Sequence, residues 1–211
     1  MFADQTWLAR LIWVALCGVM IWAVFELRWE LAFVALATLS LSLAPVFVAK
    51  WANIHVPPGM IAALAIFVGG TLFLGEVFDF YEWLWWWDMA MHGTSAVGFG
   101  LIGFVLVFMM FQGDRFAAPH VAVAFFAFCF ALTIGTVWEM FEFGMDQIFG
   151  MNMQKSGLMD TMGDLIVDAV GALIGAATGF GYLKGQARGG PAAVIDEFIR
   201  KNPRFFKRLR K

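Results

Sequence analysis

A carboxylate one helical turn from an imidazole, Asp88-x3-His92, opens a series of ionisable residues set in apolar sequence. The series continues with Glu139, Glu142 and Asp146 at steps of three and four, and with Asp160, Asp164 and Asp168 at steps of four. Glu76, Asp79 and Glu82 precede it. Side chains three or four residues apart share a helix face, so each group aims its polar atoms one way. A charge at the bilayer centre costs about 2.5–3.5 kcal/mol even on insertion scales, which makes intramembrane carboxylates functional candidates. Crowded carboxylates repel, so some must be protonated or balanced by a cation. An oxygen-rich donor set with one imidazole suits Mn, Fe, Mg or Ca, and Zn also fits. Helical bundles build carboxylate metal sites from such pairs. The spacing therefore predicts a divalent metal site formed by Asp88, His92, Glu139, Glu142, Asp164 and Asp168. Glu142 or Asp160 would accept the proton of a metal-activated water.

Plainer roles fit several of the same residues. Asp88 and Asp160 also suit helix N-caps. Glu76, Asp79 and Glu82 also suit solvated loop edges, Asp146 is open between the two roles, and His92 also suits a hydrogen-bonded core histidine. His55 and His120 read as loop residues.

The elements that must carry these groups are membrane helices. Of 211 residues, 62% are hydrophobic and 14% charged, against about 25% charged in soluble domains. Mean hydropathy is +0.78. Six apolar runs of spanning length predict an all-α polytopic bundle of transmembrane helices over 6–26, 29–51, 59–80, 86–112, 118–146 and 160–183. Pro45 is expected to kink the second. The first run lacks a signal-peptide cleavage pattern. Cys17 and Cys129 lie inside apolar runs and imply no disulfide. No P-loop glycine pattern occurs. The expected division is a transmembrane domain over 1–185 and a basic amphipathic tail over 186–211.

Basic residues orient the bundle. Lys184, Arg188, Arg200, Lys201, Arg204, Lys207, Arg208, Arg210 and Lys211 follow the last run, and Arg10, Lys50 and Arg115 share their side. Arg28 and Lys155 fall opposite. Both termini are thus expected in the cytoplasm, which places the acidic groups of four helices near the outer face. Cations with Phe205 and Phe206 in the tail suit anionic inner-leaflet lipids; nucleic acid is not an expected partner.

Each polar face continues into small residues: Ala96, Gly100 and Gly103; Ala127, Ala131 and Gly135; Gly171, Gly175 and Gly179. Such stripes let membrane helices approach closely, so the polar faces should look into protein. The aromatic run 78–87 fits an interfacial belt or a stacking wall for a lipid headgroup. Met89, Met91, Met140, Met145, Met151, Met153, Met159 and Met162 are core filler or thioether ligands that bring copper into consideration.

The motifs Asp88-x3-His92, Trp138-Glu139-x2-Glu142 and Asp160-Thr161-x2-Asp164-x3-Asp168-x2-Gly171-Ala172 resemble the YjdF-like family of bacterial inner-membrane proteins. That family is in turn distantly similar to VanZ-like proteins associated with glycopeptide resistance. The similarity covers roughly residues 70–181 and implies a six-helix fold with a polar site in the bacterial inner membrane. The VanZ-like pattern tends to place Asn where Asp168 stands, so this chain is more acidic there. The leading expectation is a metal site open to the periplasmic face, serving an enzyme acting on a lipid or lipid-linked envelope substrate. The alternatives are a cation or proton transporter, a copper-handling protein, or a non-catalytic assembly subunit. The apolar cytoplasmic halves of the helices argue against a transport path.

Overall fold

The computed structural model describes residues 2, 4–111, 118–186 and 189–206. Arg115, Arg188, Lys207, Arg208, Arg210 and Lys211 of the basic set lie outside the described residues. The described chain is all-α, without a strand, and six of its helical segments are long and apolar enough to span a bilayer. It is a multi-pass membrane protein. It divides into two compact units, Met1–Trp87 and Asp88–Lys211.

The first unit contains α1 (Trp7–Phe25), α2 (Trp29–Trp51), α3 (Pro58–Val68) and the short α4 (Phe80–Trp83). Thr6 caps α1, its hydroxyl accepting from the Ala9 amide at 3.2 Å. Pro45 lies inside α2, which continues across it. Buried Thr38 and Ser42 satisfy their hydroxyls on the Val34 and Leu39 carbonyls, as a membrane helix requires of polar side chains. The core packs Trp13 and Leu16 of α1 against Leu39 and Val46 of α2 and Ile61 of α3.

The third span departs from the regular helix expected over 59–80. After Val68 the backbone widens into a π-helical segment, Gly69–Val77. Asp79 then turns the chain with φ +57° before α4. Tyr81 packs its ring where a Cβ on Gly75 would stand. The indole of Trp87 donates to the Gly70 carbonyl at 3.3 Å. Within this segment, the missing side chain of Gly75 is what makes room for the Tyr81 ring.

The second unit contains α5 (Trp87–Met110, whose first residue closes the first unit), α6 (His120–Phe149), α7 (Leu158–Leu183) and α8 (Gly190–Lys201). His120 therefore opens a helix and does not lie in a loop; its ring meets Phe180 edge-on. The small-residue stripes bring backbones together. A Cβ on Gly100 would stand 3.0 Å from the Gly175 Cα, and one on Gly171 would meet the Gly93 carbonyl. Gly103 lies similarly against the Ala127 carbonyl. These contacts fix α5 against α7 and α6, and with them the faces that carry the acidic residues. Both cysteines are free thiols.

The amphipathic helix expected in the tail is α8. Its apolar side chains Ala192, Ile195, Phe198 and Ile199 are buried on protein. Phe206, 2% exposed, continues that seam against Phe108 of α5 and Phe198, with ring centroids 5.7 and 6.2 Å away.

Candidate functional site

The first turns of α5 and α7 and the last turns of α6 meet at one end of the second unit. His92, Glu139, Glu142, Asp164 and Asp168 are all buried there, and Asp88 is half-buried at the rim. The expected ligand set is thus brought together. Its members divide the work unequally, however.

Asp168, 1% exposed, meets His92 Nδ1 through Oδ2 at 3.2 Å. A carboxylate only accepts, so Nδ1 is the donor and Asp168 sets the ring's orientation. The other ring nitrogen then faces the remaining acids. His92 Nε2 stands 3.6 Å from Glu139 Oε1 and 3.9 Å from Asp88 Oδ1. Asp88, His92 and Asp164 each offer a ligand atom within 4.8 Å of the others. This is the geometry in which a carboxylate holds an imidazole whose second nitrogen binds a metal.

Asp168 reaches His92 because α6 carries no side chain at Gly135. A Cβ there would overlap the Asp168 carboxylate. Gly135 had the look of one member of a packing stripe, and its particular task is to make room for this carboxylate.

Electrostatics leaves the cluster short of positive charge. Asp88, Glu139 and Asp168 all gather around the one imidazole of His92. Among the described residues, both oxygens of Glu139, Oε2 of Glu142 and Oδ1 of Asp168 are enclosed with no hydrogen bond of regular geometry. Leaving an anion buried and uncompensated costs several kcal/mol. A divalent cation ligated by Asp88, His92 and Asp164 would supply positive charge at the centre of this group, with Glu139 beside it. The donor types, mostly oxygen with one nitrogen, fit such an ion.

Several residues differ from their expected roles. Asp88 lies within the first turn of α5, after Trp87, and is not its N-cap. The N-cap of α7 is Gly157, whereas Asp160 sits within the first turn and accepts the Lys155 amide through Oδ2 at 3.0 Å. Asp146 is a loop tie: its two oxygens accept the amides of Met153 and Gln154 at 2.7 and 2.9 Å. Gln154 also donates to the Thr161 hydroxyl. Together these bonds hold the α6–α7 connection over the helix ends. Trp138 donates its indole N–H to Glu142 Oε1 at 2.8 Å, a pairing that the four-residue step between them could have signalled. Met140, Met151, Met159 and Met162 are exposed. Glu76, Asp79 and Glu82 belong to the first unit.

A family model matches residues 8–185, with the description "Predicted membrane protein (DUF2238)". The chain belongs to the DUF2238 family. A Thermotoga maritima relative bearing the name "Uncharacterized protein" is 31% identical over 102 residues. The match covers 46% of this chain and 50% of that protein, so the chain spans about half the length of this curated relative. No solved structure matches the chain. The matched DUF2238 region contains every residue of the buried cluster.

Proposed function

We propose that this DUF2238 protein is a membrane-embedded metalloprotein whose divalent ion serves an enzyme acting on a lipid or lipid-linked envelope substrate. The observation that carries this reading is His92 held by Asp168 on one nitrogen and presented to Asp88 and Glu139 on the other, with Asp164 within ligand distance of the Asp88–His92 pair, amid buried carboxylates that outnumber the cations packed against them among the described residues. The ion would be Mn, Fe, Zn, Mg or Ca. The exposed methionines make a thioether copper site the weaker fit. A bound divalent ion supplies Lewis-acid activation of water or of a substrate oxygen. Glu142 and Asp160 are the proton acceptors we assign, each with one oxygen engaged, by Trp138 and by the Lys155 amide respectively.

The basic residues after α7 support a cytoplasmic C-terminus and a site facing the periplasm, in a bacterial inner membrane. The resemblance to YjdF-like and VanZ-like proteins agrees with that location and with an envelope substrate. The site lies towards one end of these helices, near Trp138 and the α6–α7 connection, which supports access from one membrane face. Backbone packing of Gly100 against Gly175 and of Gly103 against Ala127 leaves little room for an ion path further along these helices, so enzyme chemistry is favoured over transport.

The test reconstitutes the protein in nanodiscs of bacterial lipid extract, with Mn(II) or after chelation, and reads the lipids by mass spectrometry. A metal-dependent change in one lipid or lipid-linked species, abolished by His92→Ala, is expected. An identical lipid pool in all samples, with Mn(II) bound, would reject the enzyme and move transport or assembly forward.

A further inference from the structure

The donors of the buried cluster exceed one coordination sphere. Oxygen and nitrogen ligands sit about 2.0–2.6 Å from a divalent ion, so those of a single ion lie within about 5 Å of one another. Asp88, His92 and Asp164 meet that condition. Glu139 and Glu142 stand outside this trio. Glu139 touches it from one side, Oε1 lying 3.6 Å from His92 Nε2, and its Oε2 is enclosed with no hydrogen bond of regular geometry among the described residues. Glu142 lies one turn further along the same face of α6. Trp138 fixes its Oε1, and its Oε2 is likewise enclosed without such a bond. Both side chains are more than nine-tenths buried.

We infer that the cluster holds two divalent cations, the first on Asp88, His92 and Asp164 and the second on Glu142, with Glu139 shared between them. The inference rests on the metal reading above and extends it. Charge supports the number. Asp88, Asp164, Glu139 and Glu142, the four carboxylates assigned as ligands, carry four formal negative charges. One divalent ion balances half of them, and two balance all. Helical bundles hold paired ions with inward-projecting carboxylates and imidazoles from several helices. Paired ions clamp both the attacking and the leaving oxygen of a displacement. With Glu142 engaged as a ligand, Asp160 becomes the proton acceptor.

Full-length protein in detergent micelles, stripped and then titrated with Mn(II), tests the count by equilibrium dialysis with elemental mass spectrometry. Two ions per chain are expected, and Glu142→Gln should weaken the second binding step at least tenfold while leaving the first. Electron paramagnetic resonance of the loaded wild type supplies a reading that needs no variant. A spin-coupled spectrum is expected, because paired ions sit about 3.5–4 Å apart. One ion per chain with an isolated six-line spectrum would overturn the pair while sparing the metal site. No uptake of Mn(II), Fe(II), Zn(II), Mg(II) or Ca(II) in the same dialysis would overturn both.

Discussion

Gly135→Ala separates the effect of this site from generic helix energetics. In a helix interior Ala is favoured over Gly by about 0.8–1.0 kcal/mol, so propensity alone predicts stabilisation. The structure predicts the opposite, because the new methyl would overlap the Asp168 carboxylate. Forcing a methyl into packed surroundings costs about 1–3 kcal/mol. The net expectation is a loss of up to about 2 kcal/mol, given those opposing ranges. A second consequence is chemical. Asp168 can give way only by drawing back from His92 Nδ1, and loss of such an outer partner weakens metal affinity by about 10–100-fold. Gly144→Ala on the same helix is the control, since nothing lies within 4 Å of its added Cβ. It should keep the propensity gain and the full affinity. Thermal unfolding and Mn(II) titration of both variants make the comparison. A Gly135→Ala protein as stable as Gly144→Ala, with wild-type affinity, would refute the assigned role of Gly135.

Other consequences follow from the same geometry. Trp138→Phe leaves Glu142 Oε1 without its donor; a hydrogen bond to a charged group contributes about 1.5–3 kcal/mol, and the thermal midpoint should fall accordingly. Asp146→Ala removes the acceptor of the Met153 and Gln154 amides, so hydrogen exchange should accelerate across 150–157 while the ion count is unchanged. Gly175→Val drives a side chain into the Val97 carbonyl and Gly100, so α5 should part from α7 and metal binding should be lost along with stability. Phe206→Ala empties a buried seam, a change that costs about 3–5 kcal/mol for Phe. Limited proteolysis should then release α8, and the metal site at the other end of α5 should be unaffected.

The spans were legible in sequence because a bilayer demands about 20 apolar residues, and Trp29–Trp51 in particular has the expected bounds. The α5–α7 contact was also legible. Gly100, Gly171 and Gly175 repeat at helical steps, and a stripe of that kind has no other strong explanation in a membrane. The π-helical segment was not: its local apolar pattern is that of an ordinary helix, and only the packing of Tyr81 and Trp87 distinguishes it. Spacing found the acidic cluster but could not rank its members. Asp164 and Asp168 look alike in sequence, and only the three-dimensional structure shows that Asp168 is the one that meets His92 Nδ1. Asp146 follows the same periodicity as Glu142, yet its position at the end of α6 turns it towards loop amides. The tail helix posed a similar ambiguity, because an amphipathic face suits a membrane surface and a protein surface equally until Phe108 and Phe206 are seen together.

Metal content bears most directly on the central claim. The protein would be purified without chelator, reloaded with Mn(II), Fe(II) or Zn(II), and read by elemental mass spectrometry beside an Asp88→Asn/Asp164→Asn double variant that folds. Stoichiometric metal in the wild type and its loss in the variant are the predicted result. A wild type that takes up none of these ions, or a variant that retains them in full, would contradict the account.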